Sequence, residues 1–404
     1  MNNQLHIRNR MVRWIGLLTV VILLQSNIFG TSANVYAWGE PAEVTALRNE
    51  TEQEDESIFA GHWMYYYKQL SDKERKVYRE MLASIQNFET EFYVTSGDTN
   101  LINRSFMALL YDHPELFWVH NKESFYTESY SDQDYAVFTP HYTYNQSEAS
   151  QIQNSIEQAY QDLLSRIPSD ASDYDKAMEI YVWIVDHVSY VSSMDDQNIA
   201  GSLYNHEAVC AGYASAFQYF AERLDIPVIY VSGDFTRDDG STEGHAWNII
   251  TLGGENYYVD VTNGDQPDFF AGASAQLEEH KTTMIDYLCP FPEEYEAVAR
   301  SDMDFAIPEC TSHDLNFYVK NQASFSDYDY QTIYDFCKMR IDNGAAVVRF
   351  KFATDDAFQQ ALSDWQNGSG PSEIANYYME KNGLTTINYY SGVLKQFKTF
   401  YFMF

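Results

Sequence analysis

The stretch 205-NHEAVCAGYASAF-217 decides how the chain is read. From Cys210 onward small residues are joined by Ala214, Phe217, Phe220 and Leu224, an apolar stripe at helical spacing that Pro227 brings to an end. No cysteine occurs in the first 209 residues, so the first one falls where a loop becomes a helix. The unpaired N–H groups of a first helical turn, together with the helix dipole, favour negative charge at that joint. A thiol placed there is expected to carry more thiolate, the nucleophilic form. The Cys210 N–H is placed to donate to an oxyanion, and the small Ala211 and Gly212 are expected to leave room for a substrate.

A nucleophile needs a base, and the base needs a group to orient it. Downstream, 228-VIYVSG-233 reads as a strand, and 245-HAWNIITL-252 and 255-ENYYVDVT-262 read as two strands around Gly253-Gly254. If those glycines form a two-residue turn, Leu252 faces Glu255 and His245 faces Thr262. Asp260 is then the diagonal neighbour of His245 on one sheet face, about 7–8 Å away at Cα. Moving the turn to Gly254-Glu255 would separate them by four residues, roughly 13 Å. Cysteine, histidine and aspartate in this order, with compatible register, point to a catalytic set of Cys210, His245 and Asp260. Tyr204 and Trp247 are candidates for a second oxyanion donor, with core packing as the competing role for Trp247.

Upstream, helices are expected over 145–167 and from Ser172, the latter with Ile180, Trp183, Ile184, His187 and Val188 on one face. His187 on that stripe reads as a core histidine. Ser71-x-x-Glu74 is a capping box opening a helix to about Asn87, and 134-DYAVFTPHYTY-144 reads as a strand. Beyond about residue 313 the pattern alternates. Helices are expected at 354–365 and 371–382, and strands at 345–351, 384–390 and 396–402.

The 404 residues suggest two or three domains. Arg8, Arg10 and Arg13 precede the apolar run 14-WIGLLTVVILL-24 and the small-residue pattern 35-VYA-37, which reads as an export signal cleaved after Ala37. The run is shorter than the roughly 18–20 residues of a membrane span; an uncleaved anchor is the alternative. Residues 38–57 are acidic and poor in large apolar residues, and are expected to be flexible. Removing residues 1–37 takes away three arginines and no acid, so the net charge of −34 becomes −37. Such a charge opposes nucleic acid and anionic lipid. The four cysteines do not form a disulfide framework. Cys337, with Ile333 and Ile341 at i−4 and i+4, reads as core, while Cys289 and Cys310 are left open to pair. No CxxC or HExxH pattern occurs, so neither a metal nor another cofactor is expected.

The blocks AVCAGYASAF, LDIPVIYVSG, GHAWNII and YYVDVT, in this order, resemble the catalytic core of the transglutaminase-like superfamily, papain-fold cysteine enzymes, and in particular its secreted bacterial multi-domain members. The resemblance is strongest over residues 170–290. It implies an α+β fold in which a helix bearing Cys210 packs on an antiparallel sheet bearing His245 and Asp260, flanked by further α+β domains. It also implies that Cys210 is the nucleophile, His245 the general base and acid, and Asp260 the group that orients the histidine. The expected organisation is a signal peptide at 1–37, an acidic segment at 38–57, an N-terminal domain at 58–145, the core at 146–300 and a C-terminal domain at 301–404. The chain departs from the family at Asn263, where tryptophan is common, and at His206 and Ala211, where glycine and glutamate are more usual. The expected activity is thioester formation on a protein carboxamide or peptide carbonyl, with an amine or water as acceptor. Cell-wall or surface proteins are the expected substrates. A catalytically inactive core serving as a surface binding module is the alternative.

Overall fold

The structure, a computed structural model, describes residues 41–49, 63–130, 133–237, 239–266 and 283–404. The expected signal peptide lies outside the described residues. Within the acidic stretch, Ala42–Asn49 is a helix (α1) where flexible chain was expected. Val44 is buried there with Tyr130 and Tyr135, which gives the short helix an apolar anchor.

Helix α2 (Asp72–Gln86) opens on the expected capping box, in which the Ser71 N–H donates to the Glu74 carboxylate at 2.7 Å. It is followed by β1 (Phe92–Val94), α3 (Thr99–Asp112), β2 (Val119–Tyr130) and β3 (Gln133–Tyr142). These strands form an antiparallel sheet in the order β1-β3-β2. The sequence reading did not anticipate α3. Its buried face contains Ser105, which breaks the apolar stripe and is accommodated by donating to Leu101 O at 2.8 Å and Glu74 O at 3.0 Å.

Next come α4 (Gln146–Arg166) and α5 (Asp173–His187), each started by a capping box, from Asn145 to Glu148 and from Ser172 to Asp175. His187, expected in the core, is 29% exposed at its side chain; it stacks on Trp183 at 4.2 Å at the edge of the packed stripe. The two-residue strands β4 (Ser189–Tyr190) and β5 (Glu207–Ala208) pair in parallel just before α6 (Cys210–Arg223). Strands β6 (Val228–Thr236), β7 (Thr242–Leu252) and β8 (Glu255–Val259) follow, then α7 (Val261–Gly264), α8 (Pro292–Glu296) and β9 (Ala299–Ser301). They make a second antiparallel sheet, β8-β7-β6-β9, against which α6 packs.

The last segment holds α9 (Phe317–Lys320), β10 (Ser324–Phe325), α10 (Tyr330–Asp342), β11 (Val347–Phe352), α11 (Asp355–Asn367), α12 (Gly370–Lys381), β12 (Tyr390–Leu394) and β13 (Thr399–Met403). The third sheet has the order β10-β11-β13-β12. The strand expected at 384–390 is not formed; the chain is irregular until Tyr390, and Leu384 is exposed. Alternation alone misled there, since a strand also needs a face to bury.

One continuous buried cluster runs from Met64 to Met403 and takes in residues of all three sheets. Many of its large side chains are tyrosines whose hydroxyls find partners. Tyr66 donates to Tyr230 O, Tyr181 to Met284 O at 2.7 Å and Tyr213 to Asp265 at 2.6 Å. Tyr318 donates to Asp286 at 3.0 Å. All four cysteines are free thiols, so Cys289 and Cys310 do not pair, and Cys337 is buried with Ile333 and Ile341. Among the described residues no helix is long and apolar enough to cross a membrane.

Candidate active site

Cys210 is the first residue of α6 and is half-buried. The N-cap residue is Val209, whose side chain offers no acceptor to the first-turn N–H groups. The donors of that turn are therefore not taken up by a capping side chain. Gly212, expected to leave room for a substrate, does something else. A Cβ on it would lie 2.6 Å from Asp196 O and 2.7 Å from the Ala208 Cβ. Its hydrogen thus lets the first turn of α6 press against the segment before it. Ala211 is buried with Ala214, Tyr230 and Ala246.

The register expected for the hairpin is the one observed. Leu252 pairs with Glu255 and Asn248 with Val259, across Gly253 and Gly254, whose φ values of 62° and 91° suit a two-residue turn. The ladder stops at Val259, however, and the expected strand to Thr262 is corrected to the short helix α7. Asp260 is the N-cap of that helix, with Oδ1 accepting from the Asn263 N–H at 3.0 Å. Capping turns the Asp260 side chain back to the sheet, where Oδ2 lies 2.9 Å from His245 Nε2. Cys210 lies close enough to His245 to act on its charge.

Both members of the histidine–aspartate pair are buried. Burial alone would lower the His245 pKa, but the Asp260 charge and hydrogen bond, with a further contribution from Cys210, outweigh it and push the ring up to about 10. Burial likewise favours the neutral acid at Asp260. His245 and the two bonds from Asn263 overcome this and hold the carboxyl below its ordinary value.

Two residues that the sequence did not reveal complete the surroundings of Asp260. Asn263 Nδ2 donates to Oδ2 at 2.7 Å, and Tyr295 OH donates to the same oxygen at 2.9 Å. Asn263 was conspicuous only as a departure from tryptophan, and Tyr295 is one of 33 tyrosines. Trp247 is 2% exposed and stacks at 6.1 Å on His245, with Tyr295 at its edge. It therefore packs behind the histidine and does not line the cleft. Tyr204 is exposed and lies within electrostatic reach of Tyr144. Tyr190, 45% exposed, lies within electrostatic reach of Cys210 and Glu243, a position no spacing signalled. His206 adopts φ 59° and ψ 27°, the left-handed region, which is why glycine suits that position. A cavity of about 730 Å³ opens at the other end of α6, lined in part by Trp118, Gln153, Tyr219 and Glu222, and contains none of Cys210, His245 and Asp260.

Residues 161–261 match the model of the transglutaminase-like superfamily. This segment is a transglutaminase-like domain. The matched residues include Cys210, His245 and Asp260, while Asn263 and Tyr295 lie beyond the end of the match. The fold is α+β with a papain-like core. The chain is similar to a solved TGase, with 10% identity over 43% of this chain and 51% of that one and a TM-score of 0.25. It is also similar to a protein described as a candidate cysteine protease from Cytophaga hutchinsonii, with 16% identity over 36% and 63% and a TM-score of 0.23. A candidate protease from Parabacteroides distasonis gives 10% identity over 34% and 35%, with a TM-score of 0.21. The chain thus spans about half of the first of these structures, 63% of the second and 35% of the third. No curated protein matches the chain.

Proposed function

We propose that the protein is a secreted cysteine enzyme that forms a thioester on Cys210 and passes the acyl group to an amine or to water. The observation that carries this reading is the buried His245–Asp260 bond of 2.9 Å beside a cysteine at a helix start. The Cys210 thiolate attacks the carbonyl carbon of a carboxamide or peptide bond. The oxyanion that forms is stabilised by the Cys210 N–H. As the intermediate collapses the C–N bond breaks, and the His245 imidazolium gives its proton to the departing nitrogen. Ammonia or an amine leaves, and the acyl group remains on sulfur. A primary amine or water then attacks the thioester, neutral His245 takes its proton, and the thiolate is released. Asp260 keeps the ring oriented throughout.

The proposed substrates are proteins or peptides of the cell wall or surface. Secretion is supported by the basic, apolar and small-residue order of residues 8–37. The test is intact-mass analysis of the folded protein mixed with glutamine-containing peptides, with and without a primary amine. An acyl adduct on Cys210 that disappears in Cys210→Ala supports the reading, and its partition between amine and water names the reaction. Absence of any adduct, with Cys210 no more reactive to alkylation than the other cysteines, would leave a binding scaffold. An exported protein whose N-terminus is not Trp38 would overturn the cleavage site.

A further inference from the structure

Adjacent residues of the short helix α8 belong to two separate networks. Tyr295 is buried and its hydroxyl donates to Asp260 Oδ2 at 2.9 Å. Glu294, also buried, accepts from Lys351 Nζ at 2.8 and 2.6 Å and from Lys398 Nζ at 3.0 Å. Lys351 lies on β11, and Lys398 lies in the turn that leads into β13. The Lys351 ammonium also sits 3.9 Å above the ring of Phe291, the N-cap residue of α8. The C-terminal sheet therefore grips α8 at its start, and α8 in turn touches the carboxylate behind the histidine.

We propose that Tyr295 is a positioning residue for the His245–Asp260 pair, held in place by the C-terminal sheet through Glu294. This rests on the reading of Cys210, His245 and Asp260 as the reactive set. The physical reason is competition for one oxygen. Asp260 Oδ2 accepts from His245, Asn263 and Tyr295 together, and each donor draws on the same charge. Removing the phenol leaves more of that charge to the imidazolium, whose bond to Oδ2 tightens. The other titratable groups facing the pair are Cys210 from α6 and Tyr181 from α5, whose hydroxyl is committed to Met284 O. The Phe235 and Trp247 rings close the remaining sides of His245.

The test is the NMR titration of His245 in the full chain carrying Cys210→Ala, which removes coupling to the thiol and does not depend on turnover. Tyr295→Phe is expected to raise the pH at which His245 loses its proton by roughly half a unit to one unit. Lys351→Met is expected to move it in the same direction. If that variant does not fold, Lys398→Met, whose side chain is 15% exposed, carries the test with a smaller shift. Combined with Tyr295→Phe, the lysine change should add nothing, because both act through one hydroxyl. An unchanged titration in Tyr295→Phe overturns the positioning role. A lysine variant that loses stability without moving the titration overturns the link to the C-terminal sheet. Failure to find an acyl adduct would sink the proposed reaction and leave this titration to be decided separately.

Discussion

Cys210 differs from the other three cysteines in a way that can be measured directly. Cys289, Cys310 and Cys337 are buried, and burial pushes their thiols up, Cys310 to about 12. Alkylation of the folded protein near pH 6, read by peptide mass spectrometry, should therefore label Cys210 well ahead of the others. His245→Ala should slow the proposed acyl transfer by roughly 10²–10⁴-fold. The histidine also links stability to pH. It titrates near 10 when folded against 6.5 ordinarily, so its contribution is complete below about pH 6.5 and is lost as pH rises toward 10. The depressed Asp260 carboxyl contributes fully above about pH 4, and that contribution is lost as pH falls through its folded value. The wild type's advantage over Asp260→Asn in urea midpoint should be largest between those limits and shrink on both sides. Cys210, His245 and Asp260 were legible as candidates because each sits in its own recognisable block. Tyr295 was not, since a phenol that reaches a carboxylate 35 residues away leaves no spacing to read.

Among the elements, α6 shows how closely Cys210 is fitted. Gly212→Ala would drive a methyl into the backbone at Asp196, and the first turn of α6 must shift to admit it. The expected cost is about 1–3 kcal/mol in chemical denaturation, with slower alkylation of Cys210 as the turn moves. Unchanged stability and labelling would mean that the contact has slack. Most helices were visible beforehand from an apolar stripe, joined at Ser71 by a capping box; the capping boxes at Asn145 and Ser172 came to light only in the structure. The hairpin register was legible from two glycines. The end of β8 was not, because 259-VDVT-262 alternates like a strand while Asp260 diverts the chain into a helix cap. The final hairpin was misplaced for a related reason: Ser391 and Gly392 weaken β12, while the exposed 384–389 segment imitates a strand.

For the molecule as a whole, the cluster of Glu294, Lys351 and Lys398 holds the C-terminal sheet against the rest. Burial pushes the Glu294 carboxyl up and the Lys351 ammonium down, so each charge depends on the other. Lys351→Met alone should cost about 3–5 kcal/mol by leaving Glu294 poorly paired. Lys351→Met with Glu294→Leu should recover most of that loss, since Lys398 keeps Asp355 at 3.5 Å. Equal losses in the single and double variants, measured by urea unfolding, would contradict this account. None of this was readable from sequence, because the partners lie 57 and 104 residues apart.

The buried phenols carry a consequence of a different kind. Tyr66, Tyr78, Tyr181, Tyr230, Tyr295 and Tyr318 are all held protonated well beyond the ordinary tyrosine range, by burial above all. In an ultraviolet titration with alkali, the more exposed rings should ionise first and gradually. The enclosed rings should remain silent until the chain opens, then appear together as a late, irreversible step. Strong base thus works against this fold, and the colour of tyrosinate would report the moment it gives way.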